Sequence, residues 1–240
     1  MARSLFRLMD TYGKFDTFAE LRAFLHEALV SHLLQAKLPT ERAKRYRIEH
    51  CERVAKIGRL VAEVEGMDAE LLELGCLIHD IGKWDAEDPV DHGRAGALLA
   101  FDLLCEAELP SEICADLAQG IAMHTDGYWN ARTDAEGTGT NAEGKPYLVF
   151  AHEPSVLAQS IGDCDNIDRY STYRICDTLH YVDFLGMDKD SQREWIMNYV
   201  DTLHTCRDQK CATEMAQKMW IENLNYQAMF FKRLMNEIGV

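Results

Sequence analysis

The sequence predicts an all-α protein. Apolar residues recur at steps of three and four along most of the 240-residue chain, as one face of a 3.6-residue period requires. Strand-like alternation is nearly absent, with "PYLVF" (146–150) the one short exception. Cap-forming residues stand where several periodic stretches begin, and glycine marks a clear stop.

The first amphipathic helix covers Phe18 to Leu34. A longer one follows in "LPTERAKRYRIEHCERVAKIGRLVAEVEG", with Thr40 as its N-cap and Gly66 as its stop. The third runs from about Asp68 to Gly82. An Asp-rich connection containing Pro89 leads to a helix that begins near Asp91; another starts after Pro110, a favoured first-turn residue, and ends near His124. From Gly127 to Gly144, "GYWNARTDAEGTGTNAEG" is too rich in Gly, Asn and Thr for regular structure. A loop this long inside a compact domain is often functional, and a lid over a site is the expectation. Pro154 opens a helix that carries "SVLAQSIGDCDNIDRYSTYRICDTLHYVDFL", and helices at Lys189 to Leu203 and Ala212 to Ile238 close the chain. On the last of these, Met215, Met219, Met229 and Leu234 form a stripe that reads as core or as the face of a candidate homodimer. Neither an internal repeat nor a linker is visible, so residues 1–240 read as one helical domain.

Composition removes several function classes. The apolar share of 47% suffices for a full core, and the formal charge of -15 argues against a binder of nucleic-acid polymers, which needs a basic face. No apolar run reaches the roughly 18 residues that a membrane helix needs, and the N-terminus lacks the pattern of a secretory signal. The eight cysteines are scattered without a CxxC pair, which suits free thiols in a reducing compartment. A cytoplasmic protein is expected.

The ionisable residues are less ordinary. In the second helix His50 lies four residues before Val54, on the face marked by Val54, Ile57 and Val61. Leu72, Gly75 and His79 share a face of the third helix, with Asp80 beside it, and Ile113, Leu117 and Ile121 lead in the same way to His124. After Pro154, Leu157, Ile161 and Asp165 recur at steps of four, so a carboxylate occupies a core-facing position. A single inward histidine is commonly a hydrogen-bonded core residue. Three of them with two inward carboxylates, on four helices, are the donor set of a divalent transition metal. His92, at the start of "DHGRAGALLA", has no apolar face by which to judge it.

Together "RIEHCERV", "CLIHDIGKW" and "GDCDNIDRY" resemble the HD-domain metal-dependent phosphohydrolases, over roughly Glu41 to Arg174. Their pattern is a histidine, an adjacent His-Asp pair and a later aspartate, here His50, His79, Asp80 and Asp165. The small-Asp-polar-aliphatic signature of that family, placed on Cys164 to Ile167, selects Asp165 over Asp163. "DHGRAGALLA" and "GIAMHTD" are similar to the extra histidine segments of the dinuclear subgroup, which includes the bacterial diadenosine-tetraphosphate hydrolases, and they supply His92 and His124.

This resemblance implies an HD-domain helical bundle with extra terminal helices. It also implies two divalent transition metal ions, drawn from Fe, Mn, Co, Ni or Zn. His50, His79, Asp80 and Asp165 would hold one, and Asp80, His92 and His124 the other. Such a pair acidifies a bridging water and offsets phosphoryl charge, giving hydrolysis of a phosphoester or phosphoanhydride bond in a small phosphorylated metabolite, a nucleotide foremost. Asp80 and Lys83 are the catalytic expectations. Lys83, Arg47 and Arg94 are the residues expected to meet phosphoryl oxygens, although a solvated lysine at a helix end and surface arginines are ordinary features. Tyr128 and Trp129 either stack on a base or anchor the loop, and His152 and Glu153 read as a cap or as support for the ligands. The same ligand set serves HD-fold diiron oxygenases, which is the alternative reading; a non-catalytic metal-binding module is the third.

Overall fold

A computed structural model describes residues 12–130 and 139–239, and among these it contains helices and no β-strand. The all-α expectation holds. In place of a strand at 146–150 there is an isolated bridge between Thr140 and Pro146. The centre of the long loop, 131–138, lies outside the described residues, and with it the expectation of a lid. No helix among the described residues is long and apolar enough to cross a membrane.

The chain forms two compact units that divide between Asp165 and Asn166. In the first, α1 (Phe18–Gln35) is opened by a capping box between Thr17 and Glu20. Thr40 caps α2 (Glu41–Glu65) by accepting from the Ala43 amide, and Gly66 ends it in the left-handed conformation at φ 69°. Asp68 caps α3 (Ala69–Ile78), whose residues from Leu71 to Ile78 are all buried. A helix that is apolar on every side belongs at the centre, and α3 packs against α1, α2 and α5 (Ser111–Met123). Glu73, the one charge in "LLELGCLI", is fixed by Arg22 of α1 at 2.6 Å and Arg59 of α2 at 2.8 Å. Three helices are thereby tied by one buried carboxylate.

Helix α3 stops four residues earlier than the sequence suggests. The Cys76 carbonyl, which a continuing helix would offer to the Asp80 amide, accepts from the His79 ring at 2.7 Å, and tighter turns from Ile78 to Asp85 follow. Gly82 then meets Gly96 of α4 (His92–Glu106) so closely that a Cβ would lie 2.2 Å from the Gly96 nitrogen. α4 and α5 pack side by side, and α6 (Val156–Arg169) carries the first unit to its end.

The sequence suggests one helix from Pro154 to beyond Tyr181, but the chain breaks at Ser171, extended at ψ 168°, and restarts as α7 (Thr172–Tyr181). Side chains of α9 (Glu214–Glu237) bind the carbonyls exposed there: Asn223 donates to Ile167 and the fully buried Gln227 to Ser171. Ile175, Phe184, Phe231, and Ile196 and Val200 of α8 (Lys189–Cys206) form the core of this second unit. The buried face of α9 is Ala216, Trp220, Leu224, Gln227, Ala228 and Phe231, while Met229 is exposed. The methionine stripe therefore flanks the core face instead of forming it, because the large aromatic and leucine side chains take the contact line.

His32 of α1 meets Asp85 at 2.8 Å and so holds the turn that follows α3. Hydrogen bonding to Asp85 raises the His32 pKa, and burial opposes it. The pair therefore stabilises fully below the ordinary histidine value of 6.5, and that contribution is lost as pH rises through the raised value. His32→Gln should cost more stability at about pH 5.5 than at about pH 9. Equal losses in urea melts at both pH values would show that the pair carries no proton.

Candidate metal centre

Five segments of the first unit converge. α2 presents His50, the turn after α3 presents His79 and Asp80, α4 begins with His92, His124 directly follows α5, and α6 presents Asp165. Their ligand atoms fall into three overlapping groups, His50–His79–Asp80, His79–His124–Asp165 and Asp80–His92–His124, each within 4.8 Å. All six expected ligands are brought together.

Asp80, a member of two of these groups, is 1% exposed. Its Oδ2 faces the Nε2 atoms of His50 at 3.6 Å and His79 at 3.5 Å, together with the Arg47 guanidinium. Its Oδ1 faces His92 at 2.9 Å, His124 at 3.6 Å and Lys83 at 3.7 Å. One oxygen serves each half. Asp165 closes the first half, with Oδ1 2.9 Å from His50 Nε2 and 3.6 Å from His79 Nε2.

Local hydrogen bonds set the imidazole tautomers. The Nδ1 atoms of His79, His92 and His124 each lie against the carbonyl three residues earlier, those of Cys76, Pro89 and Ile121. A carbonyl can only accept, so each Nδ1 carries the proton and each neutral ring offers the Nε2 lone pair to the cluster. Burial is the largest influence on His92 and lowers its pKa despite the Asp80 carboxylate. Burial alone would raise Asp80 and Asp165. For Asp80 the Arg47 and Lys83 cations, and for Asp165 the imidazole of His50 at 2.9 Å, oppose it, and both carboxyls lie well below the usual carboxylate range.

Such an arrangement fits a cation. His79 Nε2 is buried without a hydrogen-bond partner among the described residues, a loss of about 1–3 kcal/mol when nothing meets it. His92 Nε2 and His124 Nε2 face each other at 3.1 Å, two lone pairs that repel unless positive charge lies near both. Neutral imidazole nitrogens with two carboxylates match divalent transition metals better than magnesium.

The other expected residues divide. Lys83 is no longer on a helix with His79, yet its Nζ reaches 3.1 Å from His92 Nε2. Arg47 lies on the Asp80 carboxylate. Arg94, expected to meet a distal phosphate, is instead 1% exposed and bonded to Asp91, Asp126 and the carbonyls of Tyr128 and Asn130, so its guanidinium is engaged inside the protein. Tyr128 is exposed, as are His152 and Glu153, and the His152 carbonyl accepts from Gln119. Sequence reasoning missed Tyr46, whose ring stacks on His50 with centroids 6.2 Å apart. Its spacing of four before His50 was the available signal.

A family model for the HD domain matches residues 47–170. The chain belongs to the HD domain family. As an HD-domain protein with this His/Asp cluster, it is a metal-dependent hydrolase. Solved structures with the same fold include a protein described as a predicted HD superfamily hydrolase from an uncultured Thermotogales bacterium, 21% identical, with 92% of each chain covered and a TM-score of 0.54. Bacillus subtilis YpgQ in complex with ADP is 15% identical over 92% of this HD-domain chain and 95% of its own, with a TM-score of 0.56. No curated protein matches the chain.

Replacing His79 or Asp80 by alanine should remove most bound metal and leave the helical circular dichroism intact. Unchanged metal content in either variant, measured by elemental analysis, would refute the site.

Proposed function

We propose that this protein hydrolyses a phosphoester or phosphoanhydride bond of a nucleotide or another small phosphorylated metabolite. The observation that carries the reading is Asp80, which turns one oxygen toward each half of a buried imidazole and carboxylate cluster. His50, His79, Asp80 and Asp165 would hold one divalent transition metal (Fe, Mn, Co, Ni or Zn), and Asp80, His92 and His124 a second. When bound, the pair supplies Lewis acidity and a water acidified to neutral pH.

The chain's own residues do the rest. The carbonyls of Cys76, Pro89 and Ile121 fix the rings of His79, His92 and His124, so the ligand atoms need little reorganisation. Lys83 places a positive charge beside the His92 half, suited to a non-bridging phosphoryl oxygen. Arg47 brings a second cation to the opposite oxygen of Asp80. Both offset the local negative charge that would otherwise repel an anionic substrate from a chain of net charge -15. The ADP held by the Bacillus subtilis neighbour supports a nucleotide as the substrate class.

The test is elemental analysis paired with phosphate release from a panel of mononucleotides, dinucleoside polyphosphates and phosphomonoesters after loading with Mn or Fe. Two metals per chain and release of phosphate are expected. Two irons with no hydrolysis, but oxygen uptake on a phosphonate or polyol, would replace the proposal with an oxygenase. Lys83→Ala should keep both metals and slow phosphate release by about 100-fold. A fall in metal content instead would make Lys83 a structural residue.

A further inference from the structure

Arg94 is the largest charged side chain of the interior, and the hydrolytic reading gives it no chemical task. Its guanidinium spans two segments. Nη1 binds Asp91 Oδ1 at 2.7 Å, immediately before His92, and Nη2 binds both oxygens of Asp126 at 3.0 and 3.1 Å, two residues after His124. Nη2 also donates to the Tyr128 carbonyl and Nε to that of Asn130, each at 3.0 Å. The Asn130 side chain passes the hold onward by bonding both the amide and the carbonyl of Phe150.

What this clamp fixes is the one quantity that the two histidines do not fix for themselves. Each ring is oriented within its own segment, by Pro89 or Ile121, but the distance between the segments depends on contacts across them. Gly93 permits the approach, because a Cβ there would lie 2.9 Å from the carbonyls of Ile121 and Ala122 and 3.2 Å from His124 Nδ1. Close approach alone sets a limit without setting a position. The fork of Arg94, bonded on both sides, supplies the position.

We infer that Arg94 is a positioning residue that sets the His92–His124 half of the cluster and thereby the second metal, without touching metal or substrate. The inference rests on the dinuclear reading. Lysine keeps the charge at this position but lacks the planar fork, so it cannot hold Asp91, Asp126 and two carbonyls at once. Asp126→Asn removes the charge of one partner at nearly constant shape.

The test uses the full chain as wild type, Arg94→Lys and Asp126→Asn, titrated with Mn(II) and followed by elemental analysis, electron paramagnetic resonance and circular dichroism. Wild type should bind two ions with a spin-coupled signal. Each variant should keep its helical signal and its tight first ion, bind the second about 10- to 100-fold more weakly, and give the spectrum of an isolated ion. Two ions bound with wild-type affinity and coupling in both variants would overturn the inference alone. Fewer than two ions in the wild type would overturn the dinuclear reading and the inference with it. If Arg94→Lys fails to fold, Asp126→Asn decides: an unchanged second ion there rejects the clamp.

Discussion

Burying the Asp80 carboxylate is the constraint on which the first unit depends. A charge this deep in an apolar frame is tolerated only when opposite charge offsets it; Arg47 and Lys83 supply that charge here, and the imidazoles of His50, His79, His92 and His124 face the same two oxygens. They come from α2, the turn after α3, the start of α4 and the end of α5. The helices must therefore converge where the carboxylate is, and the rest of the packing is compatible with that point.

Two devices make the convergence affordable in structural terms. Small residues let backbones approach where the ligands are mounted, as at Gly82 against Gly96 and Gly93 against the end of α5. Buried ion pairs then hold the arrangement, with Glu73 joining α1, α2 and α3 and Arg94 joining the His92 and His124 segments. Breaking either pair would leave a charge that the interior cannot hydrate, so both favour one alignment of the helices over slipped alternatives.

The departure of the chain from a helix at His79 matters for the chemistry. His79 itself keeps helical dihedrals, at φ -57° and ψ -35°, so it and Asp80 project about 100° apart, toward neighbouring points of the cluster. The imidazole takes the Cys76 carbonyl, and Nε2 of His79 lies 3.5 Å from the Asp80 carboxylate. The same bond fixes the tautomer. Termination of α3 and orientation of the His79 ring are one event.

The sequence by itself determined the helical class, the caps at Thr40 and Gly66 and the six residues of the cluster, because periodicity, capping chemistry and ligand type are local properties written in single side chains and their spacing. His50, His79, His124 and Asp165 were legible as inward positions, and His92 through its resemblance to a known segment. Tertiary structure alone decided that α3 ends at Ile78, that the helix after Pro154 breaks at Ser171, and that Arg94 faces inward. Each of those outcomes turns on a partner distant in the chain or on a competing bond: Gly96 for the turn, Gln227 and Asn223 for the break, Asp126 for the guanidinium. A local pattern records what a residue prefers, and these partners exist only once the helices have met.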